Sequence, residues 1–287
     1  MLKNLFKRRS KSEIVILIIA SIVMGLFVLS YTLSYGWAIL AGLKTQDEIV
    51  MTPFALPQEW LFENYVQAFT MLKVRGVDMI GMILNSLIMV LIGPFLSIAG
   101  SAILAYVVSK YRFRGRNVLI AVNVIVMTLP IIGSTASTYR LYSSLGMIDS
   151  PTLMISRIGC FGGNFLYMLS CFNNTSNAYM EAARIDGAGH YTIMFKVMMP
   201  MAMGTASALW ILQLIGVWND VNTSLLYWPS MPTLATGIYL FQTTTTMRAT
   251  KHILIAATVL SSIPPLMLFV FFHKKILANV TFGGIKG

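Results

Sequence analysis

Charge is what this sequence has least of. Asp, Glu, Lys and Arg make up 11% of the 287 residues, and acids number only 10. Soluble domains carry about 25% charged residues. With 56% apolar residues and a mean hydropathy of +0.73, the chain cannot cover a water-exposed surface, so much of its outside must face lipid. The usual prior of one domain per ~150 residues assumes water as solvent and gives way to counting membrane spans. Cysteine is scarce too. Cys160 and Cys171 sit on one apolar segment, about 16 Å apart along a helix, too far for a disulfide, and read as small apolar fillers. Reactive constellations are missing as well. There is no GxxxxGK[ST], HExxH or GxSxG run, and no carboxylate pair flanks one cleft. His190, His252 and His273 are too scattered for a metal set. No catalytic residue, metal ligand or cofactor site is expected on this chain.

What is present begins with the long gaps between charges. None falls between Glu13 and Lys44, Asp78 and Lys110, Arg116 and Arg140, Lys196 and Asp220, or Lys251 and Lys274. A sixth apolar segment, Pro151 to Phe172, carries Arg157 near its start. Each is long enough for the roughly 20 residues that cross a bilayer core. The gap from Asp220 to Arg248 holds Pro229, Pro232 and the run Thr243 to Thr246, and reads as a loop with room for a short re-entrant piece. The expected architecture is all-α and integral to the membrane. It is one domain over 1–287 with six transmembrane helices, at about 14–37, 80–108, 118–139, 151–172, 201–221 and 253–272.

Basic residues set the orientation. With the N-terminus inside, 14 of the 21 Lys and Arg fall on inner segments, and short basic loops stay cytoplasmic. Both termini are therefore expected inside. The net charge of +11 then sits against the anionic inner leaflet; nucleic-acid binding has no soluble basic domain to carry it. Lys3 to Lys11 lend the first segment the start of a signal peptide, but its uncharged stretch is far longer than a secretory core of about 7–15 residues. It reads as a retained anchor. The outer segment from about Ala41 to Met79 holds Glu59 to Tyr65, whose acids and aromatics fit a short interfacial helix.

The largest inner loop, Asn173 to Met199, breaks the basic pattern with Glu181 and Asp186. Asn173, Asn174, Ser176 and Asn177 are candidate N-caps, Glu181 falls in a first turn where a carboxylate suits the helix dipole, and Gly187 can end the helix in the left-handed conformation. Tyr179, Ala182, Ala183 and Asp186 then share one face, and the small alanines let that face enter a partner's groove. A helix resting on the inner leaflet would favour Lys, Arg and bulky apolar residues instead. An apolar stretch from Ile193 leads to Pro200, which is suited to open the fifth span.

These residues carry a resemblance. Glu181-Ala182-Ala183, three residues, Gly187, nine residues, then Val197-Met198-Met199-Pro200 is similar to the EAA loop of the membrane subunits of binding-protein-dependent ABC importers, and it precedes the penultimate span as in that family. Asp186-Gly187-Ala188 and Trp218-Asn219-Asp220 resemble marks of the carbohydrate branch. Leu56-Pro57, Glu63-Asn64-Tyr65, Asn85-Ser86 and the tail Gly284 to Gly287 resemble its maltose-type second permease subunit. Gly204 departs from the pattern, standing where the sugar branch commonly has a second proline.

The resemblance implies a type I importer permease fold and a place in a bacterial cytoplasmic (inner) membrane. It implies that Glu181, Ala182, Ala183, Asp186, Gly187 and Pro200 form or support a coupling helix seated in a separate cytoplasmic ATPase. Two such ATPase subunits would carry the ATP and Mg; a second homologous permease subunit and an extracytoplasmic solute-binding protein would complete the assembly. The implied cargo is a sugar or oligosaccharide, with another small polar solute such as a glycerol phosphate as the alternative. Asn85, Asn123, Trp218, Asn219 and Asp220 are candidates for the substrate pathway or outer gate. Asp220 has two readings there, a helix-end hydrogen-bonding role shared with Asn219 or contact with a binding protein. Arg157 is equally open, since a long side chain can snorkel outward. A gradient-driven carrier would show several intramembrane carboxylates or an inverted repeat, and only Asp220 comes close.

Overall fold

The computed structural model describes residues 11–129, 133–244 and 251–280. The basic residues Lys3 to Arg9, residues 130–132 of the third expected span, Thr245, Thr246, Arg248 and the Gly284 to Gly287 tail lie outside them. Among the described residues there is no strand, only an isolated bridge between Val74 and Val77. In chain order the helices are α1 (Lys11–Gly42), α2 (Gln46–Met51), α3 (Glu63–Met71), α4 (Met79–Lys110), α5 (Arg116–Thr128), α6 (Thr135–Ser144), α7 (Gly163–Asn174), α8 (Ala178–Ile185), α9 (His190–Trp218), α10 (Leu234–Thr244) and α11 (Lys251–Val280). A 3₁₀ helix, Pro151–Arg157, precedes α7, and a π-helical turn, Thr223–Tyr227, precedes α10.

The all-α membrane architecture holds. Helices α1, α4, α9 and the Lys251–Phe272 part of α11 are long and apolar enough to cross a membrane. Every side chain from Ile18 to Tyr35 on α1 is exposed, an arrangement that lipid favours and water would penalise. The third and fourth expected spans are apolar but interrupted, and each break has a local cause. Helix α5 stops at Thr128 because Leu129 precedes Pro130, whose ring drives its neighbour out of the helical region; Leu129 is extended at φ −70°, ψ 118°. In the fourth, Gly162 takes φ 120°, ψ −165°, a conformation open only to glycine, and the regular helix begins at Gly163. Cys160 therefore lies before α7 and only Cys171 on it, which corrects their placement on one helix; both are free. The stretch after Asp220 contains more than a loop. Its π turn and α10 are short, and α10 at 11 residues spans about 16 Å, half a bilayer core.

Contacts divide the chain into two compact units, Met1–Leu72 with Thr244–Leu260, and Lys73–Thr243 with Ser261–Gly287. In the first unit a capping box opens α2: Thr45 and Glu48 satisfy each other's backbone N–H groups. Hydrogen bonds from the Thr45 and Gln58 backbone N–H groups hold the Glu48 carboxyl below its ordinary pKa. The helix expected around Glu59 to Tyr65 begins only at Glu63. Lys44 is 1% exposed, and its Nζ donates to the carbonyls of Thr52 at 2.7 Å and Pro53 at 3.2 Å. Asn64 Nδ2 donates to the carbonyls of Gly42 and Lys44, closing the end of α1.

The second unit is built around α4, α7 and α9. Asp78 caps α4, its Oδ1 accepting from the Gly81 N–H at 2.8 Å. Ile98, Ala102 and Tyr106 of α4 pack with Phe165, Met168 and Phe172 of α7 and with Met198 and Ala202 of α9, and Tyr106 meets Phe172 edge-on at 5.7 Å between centroids. Helix α9 was expected to open at Pro200 and instead begins at His190, because Ile193–Met198 is π-helical. The Met199 N–H donates to the Met194 carbonyl, five residues back. Proline has no N–H to donate and its ring crowds the carbonyl four residues earlier. At Pro200 the bonding changes from π to α register, so the missing donor falls where the ladder is already switching.

Candidate functional site

Helix α8 and its flanks form the first candidate site. Ser176 Oγ accepts from the Ala178 N–H at 3.2 Å and opens the helix. Asn177 is turned to other work: its Oδ1 accepts from Lys110 Nζ at 2.9 Å, while the same ammonium donates to the Thr175 carbonyl at 2.6 Å. Ser109 Oγ donates to Asn173 Oδ1 at 2.7 Å. The end of α4 is thus pinned to the residues that lead into α8.

The helix closes on Gly187 at φ 77°. The Gly187 N–H donates to the Arg184 carbonyl at 3.0 Å, and the Ala188 N–H to the Ala183 carbonyl at 2.9 Å. This pair of bonds is the Schellman closure. Met180 is buried in the α4–α7–α9 core, against which Ala183 and Ala188 also pack. Tyr179, Glu181, Ala182, Ile185 and Asp186 are exposed. Ile185 at 87% and Tyr191 at 79% stand out from the surface, large apolar side chains on a segment that carries acids. Of the expected face, then, Tyr179, Ala182 and Asp186 are free, while Ala183 is half-turned into the protein. Pro200 lies farther along, inside α9.

The second candidate site is a cavity of about 250 Å³ lined by Met89, Gly93, Pro94 and Ser97 of α4, by Met154, Ser156, Arg157 and Gly159, and by Gln213, Val217, Asp220, Thr223 and Thr233. Arg157 Nη2 lies 3.8 Å from Asp220 Oδ2 and donates to Thr223 Oγ1 at 2.5 Å. The Thr223 hydroxyl in turn donates to Asp220 Oδ2, and its N–H donates to Asp220 Oδ1 at 3.2 Å. This triad joins the 3₁₀ helix to the π turn. A partly buried ion pair with added hydrogen bonds is retained more readily than a lone charge. The Arg157 side chain therefore turns inward to Asp220 and does not snorkel outward.

Of the five pathway candidates, Asp220 lines this cavity and the other four hold neighbouring structure. Asn85 Nδ2 donates to the Pro232 carbonyl at 3.0 Å. Asn123, fully buried, accepts from the Gly162 N–H at 2.6 Å and so secures the break before α7. Trp218 is buried and donates from Nε1 to the Ser261 carbonyl at 3.0 Å, tying α9 to α11. Asn219 bonds back to the Ile215 carbonyl at 2.9 Å. Gln213, Ser97 and Thr223 were not foreseen; the available signal was a lone Arg in one apolar segment and a lone acid at the end of another. Nearby, Asp149 Oδ1 accepts from the Ser230 N–H at 2.8 Å, and its hydrogen bonds with Ser230 hold its carboxyl below the ordinary value.

Comparison with known proteins decides the family. Residues 97–280 match the family described as binding-protein-dependent transport system inner membrane component. The chain belongs to this family. It is an ABC-type permease, a membrane component rather than an enzyme. Among its relatives, the diacetylchitobiose uptake system permease protein NgcG of Streptomyces coelicolor is 28% identical over 258 residues, 87% of this chain and 82% of the relative. The arabinooligosaccharides transport system permease protein AraQ of Bacillus subtilis is 26% identical over 278 residues, 93% of this chain and 96% of the relative. A chain of a bacterial ABC transporter involved in importing the acidic polysaccharide alginate shares the fold, with a TM-score of 0.74 at 21% identity, over 93% of this permease and 98% of that chain.

Proposed function

We propose that this permease forms half of the translocation pathway of an ATP-driven importer for a sugar or oligosaccharide. The relatives named for diacetylchitobiose and arabinooligosaccharides support the cargo class. The pathway would be completed by a second homologous permease subunit, and cargo would be delivered by an extracytoplasmic solute-binding protein. ATP and Mg would reside on two cytoplasmic ATPase subunits. On this reading the whole chain is one transmembrane domain with both termini in the cytoplasm of a bacterium, and the interrupted segments 118–139 and 151–172 complete six crossings.

The observation that carries the reading is α8. Its inner side is anchored by Met180, and its outer side offers small Ala182 flanked by Tyr179, Glu181 and Asp186, with Ile185 and Tyr191 exposed beyond them. Exposed apolar side chains grouped on one element mark a surface that a partner covers, and a short helix laid in a groove is a recurring mode of recognition. Gly187 stops the helix with the Schellman pair and keeps it short. The ties from Ser109 and Lys110 provide a route for pushing on α8 to move α4. Motion of this kind underlies alternating access.

A single cysteine at Ala182, in an assembled transporter whose ATPase carries single cysteines around its cleft, tests the contact. The expected result is a disulfide to the ATPase whose yield changes with nucleotide. A co-purified ATPase that never cross-links to position 182 contradicts it.

A further inference from the structure

The cavity beside Arg157 and Asp220 has unspent hydrogen-bonding capacity. A guanidinium carries five N–H donors, and among the described residues only Nη2 of Arg157 is engaged. The Gln213 side chain, which lines the same space, has no hydrogen-bond partner among the described residues and offers a carbonyl and an NH₂. Apolar Met89, Pro94, Met154 and Val217 complete the lining beside these polar groups, and Gly93 leaves room, since a Cβ there would meet no described atom beyond its own helix backbone within 4 Å. Formal charge in the cavity sums to zero, because Asp220 answers Arg157. The side chains of the pair are 32% and 27% exposed, accessible yet screened less than surface ions.

We propose that this cavity is a subsite for one uncharged sugar ring, with Arg157 and Gln213 bonding its hydroxyls and Asp220 acting as the residue that rejects anionic sugars. The proposal rests on the importer reading above and adds the charge class of the cargo. Its size, about 250 Å³, falls just under the usual range of about 300–1,000 Å³ for small-molecule pockets, enough for one ring and not for a chain. Hydroxyls can share the free N–H donors of Arg157 without breaking its pair with Asp220. A uronate carboxylate or a sulfonate would compete with Asp220 for the same guanidinium and sit close to its negative charge, and like charges so placed repel strongly. No aromatic side chain lines the cavity among the described residues, so the ring is held weakly enough to move on, as passage requires. Among its relatives, AraQ is named for arabinooligosaccharides and another permease of Bacillus subtilis for polygalacturonan and rhamnogalacturonan, so the family spans both charge classes and the distinction must be made somewhere.

The test uses the intact transporter in lipid nanodiscs and two labelled probes, arabinotriose (neutral) and trigalacturonate (anionic), with binding read by equilibrium dialysis. Stimulation of ATP hydrolysis by the binding protein is measured on the same wild-type sample. Wild type is expected to prefer arabinotriose. Asp220→Asn preserves shape and leaves Arg157 uncompensated, so the preference should move toward trigalacturonate by about tenfold or more, the scale of one charge-assisted bond. Gly93→Val fills the space without touching the ion pair and should weaken arabinotriose binding. If Asp220→Asn leaves the ratio unchanged, or wild type binds arabinotriose no better than Gly93→Val does, the subsite is overturned while the importer reading stands. If wild type shows no stimulated ATP hydrolysis at all, the importer reading itself fails and takes the subsite with it.

Discussion

Buried polar residues in this protein mostly spend themselves on backbone groups that irregular structure leaves open. Asn123 accepts from Gly162 where a helix cannot form, and Asn85 donates to Pro232 in the turn before α10. Losing such a partner leaves a sheltered backbone group unsatisfied, the Gly162 donor or the Pro232 acceptor, at about 1–3 kcal/mol where it is buried. Asn123→Leu should therefore lower the thermal midpoint of the purified transporter, while Asn219→Ala, at an exposed helix end, should change it little. Acidity acts at the same scale. The carboxyls of Glu48 and Asp149 are both held below their unfolded values, so they stabilise above the unfolded carboxylate pKa, and that contribution is lost as pH falls through their lower folded values. Unfolding midpoints measured from pH 7 down to pH 3 should fall less steeply for Glu48→Gln with Asp149→Asn than for wild type. The polar character of Asn85, Asn123 and Asp220 was legible in the sequence, but their partners were not. Each lies tens of residues away from its own partner or is met only through an irregular turn, and spacing along the chain carries no record of such contacts.

At the scale of elements, α8 was the most legible feature because its determinants are local. A helix-stopping glycine, a polar start and two adjacent alanines all lie within a dozen residues, and the structure builds them into one capped helix. The interruptions of the third and fourth spans were less visible. Hydropathy registers how apolar a stretch is and is blind to Pro130 or Gly162, although each residue announces a break once backbone sterics are considered. The π segment before Pro200 was hidden entirely, since no residue type demands it. The ties between α4 and the start of α8 carry the element-scale prediction. Ser109→Ala combined with Lys110→Met removes the bonds to Asn173, Thr175 and Asn177 without touching α8. The assembled transporter should form normally, and binding-protein-stimulated ATP hydrolysis should fall severalfold relative to basal hydrolysis. Equal loss of both rates would mean the ties serve assembly alone.

For the molecule as a whole, scarcity of charge set the solvent, and the exposed length of α1 shows the consequence. The placement of basic residues predicts that reporter fusions at both ends will be active only in the cytoplasm; a periplasmically active alkaline phosphatase fused after residue 287 would contradict the proposed orientation. The central claim is that α8 transmits ATPase motion, and Gly187 tests it most directly. A Cβ at Gly187 meets no atom of the described residues within 4 Å, so bulk there has open space on this side and is felt chiefly by a partner, apart from the strain of φ 77°. Asparagine tolerates that backbone better than most residues, which separates strain from obstruction. The measurement is binding-protein-stimulated ATP hydrolysis by the reconstituted transporter carrying Gly187→Asn or Gly187→Asp. The account predicts that both assemble and both lose stimulation. Full stimulation in both variants would contradict it.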